Sequence, residues 1–167
     1  MTVTLDTNLF IDKAESRAGA KEVDKIVELA WEGSLSLWYT STTDFEINDP
    51  RVLRIIIKLV QERVLREDPN AGTRRDYMPG GPGLHRLEEA QIEMLVEEIW
   101  PNAYVLGLSY ESKRRDVSHL VAHKLNKRDV FLTRDNAILV KRPTINKVLG
   151  VSIKSPSELL LEFDTIL

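Results

Sequence analysis

Residues 2–10 read TVTLDTNLF, a short alternating strand that breaks off at Asp6-Thr7-Asn8 before a helical run resumes at Leu9. Alternation of apolar and β-branched side chains marks a strand with one face buried. The polar break then puts a carboxylate and two small hydrogen-bonding side chains at the strand's carboxyl end. Working outward, Leu9 to Glu15 reads as a short helix, and a second runs from about Ala20 to Glu32, stopped by Gly33. LSLWYT (35–40) alternates again as a strand. Strand, helix, strand in this spacing demands a crossover connection, and a crossover joins parallel neighbours.

The same alternation continues to the end. Asp49-Pro50 is a helix start, an N-cap residue followed by proline at the first helical position, and RVLRIIIKLVQERVL (51–65) carries the helix. Residues 66–86 are dense in glycine, proline and charge and read as a mobile loop rather than a domain linker. LEEAQIEMLVEEIW resumes a helix, and AYVLGL (103–108) offers a strand. A helix from Asp116, the strand DVFLT, a turn and helix from Asp135, the strand GVSI and a helix opened by Ser155-Pro156 complete the chain. The expectation is one α/β domain over residues 1–167, a three-layer α/β/α arrangement around a parallel sheet of about five strands.

Composition narrows the function classes. A chain of 167 residues that is 43% hydrophobic can bury one sizeable core. Its net charge of −3 argues against a globally basic nucleic-acid coat, so any polyanion must be met by a local basic strip. The absence of cysteine excludes disulfides, cysteine-ligated zinc and a thiol nucleophile, and fits a reducing cytoplasm. Residues 2–11 carry Asp6 and read as no signal peptide, and no run approaches the ~18 apolar residues of a membrane span.

Ligand chemistry in a parallel sheet gathers at the carboxyl ends of its strands. Asp6 follows the first strand, Glu46 lies about one turn past the second, Asp135 comes just after DVFLT, and Asp116 stands at an expected helix start. Four carboxylates meeting at one edge repel one another unless a cation compensates them, and oxygen-only ligands select a hard ion such as Mg²⁺ or Mn²⁺. Each acid also has a plainer reading. Asp6 and Asp116 are good N-caps, and Asp135 is a turn former. Thr43-Asp44-Phe45-Glu46 is a capping box, with Asp44 a rival ligand. His119 and His123, spaced i,i+4, have zinc-binding spacing but lack a third ligand, and read as structural.

LDTN after the first strand, Glu46 after the second, RRDVSHLVAHKLNKRDVFLTRD and the closing GVSIKSPSELL together resemble the PIN domain, a family of metal-dependent ribonucleases. The resemblance covers nearly the whole chain and is carried by its two ends. It implies an acidic quartet of Asp6, Glu46, Asp116 and Asp135 that holds one or two Mg²⁺ or Mn²⁺ ions and hydrolyses RNA to 5′-phosphate and 3′-hydroxyl ends. Asn8 matches the asparagine of the family's D-T-N, and Thr133 the threonine of its T-x-D. Two features depart from compact toxin members: the longer 66–86 loop, and Asn136 where some relatives carry another acid.

Arg115 and Arg134 adjoin two of the expected ligands and are the candidates for holding RNA phosphates, since basic side chains position a backbone without reading its sequence. A haloacid-dehalogenase-type phosphatase also begins with an aspartate after its first strand, but needs a second where this chain has Asn8. A response-regulator receiver needs paired acids there. The remaining readings are a toxin of a toxin–antitoxin pair with a protein inhibitor, an RNA-processing nuclease, or a catalytically weak RNA-binding or assembly module. A homodimer is expected from the resemblance and from the surplus of apolar residues between Arg51 and Leu65.

Overall fold

The computed structural model describes residues 1–40, 47, 49–67, 84–103 and 109–164, with residues 84–90 described by backbone alone. The chain starts with β1 (Thr2–Leu5), α1 (Thr7–Ala14), α2 (Ala20–Trp31) and β2 (Ser36–Tyr39). Next come α3 (Pro50–Gln61), β3 (Leu65–Glu67), α4 (Leu84–Ile99) and α5 (Tyr110–Leu125). Last are β4 (Val130–Leu132), α6 (Asn136–Leu149), β5 (Ile153–Lys154) and α7 (Pro156–Asp164). The strands form one all-parallel sheet in the order β3-β2-β1-β4-β5. Sequential winding runs outward from β1 to β3, then returns to the other side of β1 as β4, so the strand order reverses between β1 and β4.

Register divides the side chains cleanly between two faces. Val3, Leu37, Leu65 and Val130 share one row of the sheet. With Leu5, Tyr39 and Leu132 they build a core against Leu9, Phe10, Val23, Ile26, Val52, Ile56, Leu59 and Leu159, contributed by α1, α2, α3 and α7. The opposite face carries the row Arg66, Trp38, Thr4, Phe131 and Ile153. Phe131 and Ile153 pack there against α4, α5 and α6 through Val96, Ile99, Val117, Leu120, Ile138 and Ile145. The three-layer expectation is met. Phe10 and Phe131 are both fully buried, and truncating either to alanine should cost about 3–5 kcal/mol.

On its second face the β1–β2 half of the sheet is polar, and side chains rather than packing join it to α5. His123 Nδ1 and Thr4 Oγ1 share a hydrogen bond of 2.8 Å. His119 Nδ1 is similarly bonded to Thr40 Oγ1. Arg128 donates to Thr4 Oγ1 at 3.2 Å and lies 4.5 Å from the Trp38 ring centre. The two histidines, spaced as a zinc pair would be, instead hold the helix to β1 and to the end of β2.

Local chemistry explains most of the element ends. Asp49 caps α3 by accepting from the Arg51 N–H at 2.8 Å, with Pro50 at the first helical position. Ser155 and Glu158 form a reciprocal capping box at α7, and Gly150 ends α6 at φ +68°. Pro143 inside α6 has no N–H for the Leu139 carbonyl. The Arg142 Nε donates to that carbonyl at 3.2 Å instead, while its Nη1 pairs with Glu158 at 2.7 Å.

Three boundaries differ from expectation. α3 ends at Gln61 rather than Leu65: Arg63 turns the chain at φ +59°, and Leu65 becomes the first residue of β3. That strand is one of the sheet's five; of AYVLGL, Ala103 lies in a turn and 104–108 lie outside the described residues. The 66–86 loop is shorter than read, since Arg66 and Glu67 belong to β3 and Leu84 opens α4, and its centre, 68–83, lies outside the described residues. Finally, α5 begins at Tyr110, capped by Ser109, whose Oγ accepts from the Ser112 N–H at 3.3 Å. Asp116 is therefore in mid-helix and is not a cap. No helix among the described residues is long and apolar enough to cross a membrane.

Candidate functional site

The reversal of strand order places the carboxyl ends of β1 and β4 side by side, which is where open α/β sheets open a crevice. Asp6 leaves β1 there, with its N–H donating to the Leu132 carbonyl at 3.0 Å. It occupies the N-cap position of α1, yet among the described residues its carboxylate makes no cap bond. Asp49 and Asp135, by contrast, both cap their helices. The Asp6 Oδ2 accepts from Thr133 Oγ1 at 2.5 Å and from Asn8 Nδ2 at 2.7 Å. Asn8 also donates to Thr133 Oγ1 at 2.9 Å and accepts from the Arg134 N–H at 3.2 Å. A buried carboxylate is thus oriented by two neutral donors from two adjacent strand ends, an arrangement that helix capping does not require. Thr7, expected as a support beside Asn8, is buried at the start of α1.

Asp135 sits three residues beyond the end of β4. Its N–H donates to Thr133 Oγ1 at 2.9 Å, and its Oδ1 accepts from the Ala137 N–H at 2.7 Å, capping α6. It is the turn former and cap expected of it, with Oδ2 engaged by no hydrogen bond among the described residues. Asp135 borders an open cleft of ≈ 390 Å³ together with Asn8, Asp12, Arg17, Ala18 and Arg134. In that cleft Arg134 Nη1 donates to the buried Asp12 at 2.8 Å, and Arg17 approaches the other Asp12 oxygen at 3.6 Å. The guanidinium of Arg134 lies where a side chain at Gly19 would stand: a β-carbon there would come within 1.8 Å of Nη1. A side chain at position 19 would therefore push the Arg134 guanidinium aside. Neither Asp12 nor Gly19 was singled out in the sequence; Asp12 lies one helical turn beyond Asn8, which puts both on one face of α1.

Asp116 projects from the middle of α5, one turn after Lys113, whose Nζ donates to Oδ2 at 2.7 Å. Burial raises the Asp116 carboxyl above its ordinary range, and Lys113 opposes the rise without cancelling it. Asp135 lifts it further, so the two carboxylates feel each other's charge. Arg115, its neighbour in sequence, faces solvent and donates its Nε to the Glu111 carbonyl at 3.3 Å, one turn back along the helix. Glu46 lies outside the described residues.

The structure therefore brings Asp6 and Asp135 to adjoining strand ends and puts Asp116 within electrostatic range of Asp135. Among the described residues no three acids or histidines converge as a closed cage for an ion. Such a cage is what zinc or calcium needs, whereas Mg²⁺ keeps several waters and is held by one or two carboxylates plus the substrate's phosphates. Asp6, Asp116 and Asp135, with one carboxyl raised chiefly by burial, offer only oxygen donors, the kind that an ion of that second sort takes. No protein-family model matches the chain, and comparison with curated proteins gives no significant match.

Proposed function

We propose that this protein is a PIN-type, divalent-metal-dependent endoribonuclease, with Asp6, Glu46, Asp116 and Asp135 as its acidic residues and RNA as its substrate. One observation carries the reading. At the reversal of strand order Asp6 stands in a cap position without capping, oriented by Asn8 and Thr133, while the charge of Asp135 reaches Asp116. A bound Mg²⁺ or Mn²⁺ would supply the Lewis acid that generates the attacking hydroxide and stabilises the leaving oxygen. The chain's own part is positional. Thr133 and Asn8 fix the Asp6 rotamer through one oxygen, Asp135 is fixed through its cap bond, and Arg134 lines the cleft beside Asp135, where a backbone phosphate can be met.

Cleavage of single-stranded RNA in Mn²⁺ and in EDTA, by the wild type and by Asp6→Asn and Asp135→Asn, tests the assignment. Activity should require the metal and should fall by at least two orders of magnitude in either variant. Cleavage that survives both substitutions overturns it. The reading extends to a cytoplasmic toxin or RNA-processing nuclease, with a protein antitoxin as inhibitor in the first case. It also extends to a homodimer, supported by α3: Val52, Ile56 and Leu59 are buried while Leu53, Ile57 and Val60 form a second, exposed stripe. A second reading is a PIN-like RNA-binding or assembly module with weak catalysis. Metal-independent RNA binding without cleavage would establish that one.

A further inference from the structure

Lys113 has no part in the chemistry just proposed, yet it is the most deeply enclosed ammonium near it. Its side chain is 9% exposed and its partner Asp116 15%, whereas the neighbouring i,i+3 pair on the same helix, Arg114 with Glu111, is 27% and 73% exposed. An exposed pair of the latter kind is an ordinary surface contact. An enclosed ammonium is tolerated only where an opposite charge and further contacts replace its water. Lys113 has both. Its Nζ bonds Asp116 Oδ2 at 2.7 Å and lies 4.8 Å from the centre of the Trp100 ring. Trp100 is itself buried, in the core beneath α4 and α5, so the ammonium is held against a rigid wall rather than swinging on a free stem.

That placement limits what Asp116 can hold. In a two-ion hydrolytic site the ions stand ≈ 3.5–4 Å apart, and a carboxylate that bridges them uses both oxygens. One oxygen of Asp116 is already engaged by a fixed positive charge. A second divalent ion on that oxygen would have to displace the ammonium from its aromatic wall or stand beside it, and repulsion between two cations is poorly screened where water is excluded.

Resting on the metal-dependent reading above, we infer that Lys113 is the site's built-in second cation, occupying Asp116 so that the acidic cluster takes up a single divalent ion. The residue acts by position and charge and needs no contact with the RNA.

The test is Mn²⁺ titration of the metal-free protein, with free Mn²⁺ followed by its electron paramagnetic resonance signal. Wild type, Lys113→Met and Lys113→Arg are compared, and circular dichroism checks the fold of each. The wild type should bind one ion, Lys113→Arg should still bind one, and Lys113→Met should bind two, the first at least tenfold more tightly than in the wild type. Should Lys113→Met fail to fold, Lys113→Gln retains a donor for Asp116 without the charge and carries the same expectation. A merely structural lysine would lower the melting temperature of the uncharged variants and leave the stoichiometry at one. Two ions in the wild type, or one in the uncharged variants, overturns the role of Lys113 while leaving the ribonuclease reading intact. No Mn²⁺ binding by any of these proteins overturns both.

Discussion

His123 makes the fold sensitive to mild acid, by an amount that can be worked from its surroundings. The ring is 1% exposed, shares a hydrogen bond with Thr4, and meets the Phe131 ring edge-on with centroids 5.7 Å apart. Burial, with the neighbouring positive charge of Arg128, lowers its pKa from 6.5 to about 4, and Asp129 only partly opposes this. Between those two values the unfolded chain binds a proton that the folded protein refuses, so stability rises with pH across the window and is lost as pH falls through it. The slope approaches about 1.4 kcal/mol per pH unit, and the full loss by pH 4 is about 3 kcal/mol, a large share of a domain's usual 5–15 kcal/mol. Urea unfolding at several pH values from 4.5 to 7 measures the slope. In His123→Asn, whose amide keeps a partner for Thr4 but does not titrate, absolute stability should be lower because of the space left beside Phe131. Its stability should change less steeply with pH than the wild type's, by up to one proton. Parallel pH profiles for the two proteins would refute the reasoning, since the acid sensitivity would then belong to other groups.

Four further outcomes follow from particular contacts. Arg134→Ala should weaken single-stranded RNA binding and reduce the salt slope of log K by about 0.7, the value of one phosphate contact. Gly19→Ala should reproduce that effect by displacing the guanidinium while leaving stability within about 1 kcal/mol, because Gly19 has helical dihedrals that alanine tolerates; filter binding over a salt series checks both. Pro143→Ala should stabilise the protein by about 1–2 kcal/mol by restoring an N–H to the Leu139 carbonyl, less than a full interior-proline penalty because Arg142 already satisfies that group; thermal melting reads it. If the exposed stripe of α3 is the proposed dimer face, the wild type should be a dimer by light scattering and Ile57→Glu a monomer.

The parts of this architecture legible in the sequence are those governed by local pattern. TVTL alternates and DVFLT is a short β-branched and aromatic run buried on both faces, and α3 and α7 begin where Asp49-Pro50 and Ser155-Pro156 say they should. The relation of Asp6 to Asp135 was also legible, since both follow strands and carboxyl ends of parallel strands share one edge. What escaped had no local signature. Arg63 turns the chain with a left-handed backbone that arginine seldom adopts, so a run of helix formers was read four residues too far. The start of α5 was missed because Lys113-Arg114-Arg115 looks like a solvated charge run, and the one basic side chain that turns inward is visible only once Ser109 is recognised as the cap. The Asp12–Arg134 pair joins residues 122 positions apart, beyond the reach of any periodicity.

The central position of β1 also has a consequence in time. Asp6 leaves the ribosome well before Thr133, which orients it and lies 127 positions later in the chain. At the 5–20 residues per second of translation the interval is on the order of ten seconds. Throughout it the first strand has no β4 to pair with, and contacts of such long range form late in folding. A nascent chain that has not reached β4 carries Asp6 without Thr133 or Asp135. Under the proposed function, the growing chain has no hydrolytic site until translation has passed Asp135, so the activity cannot arise on the first strand alone.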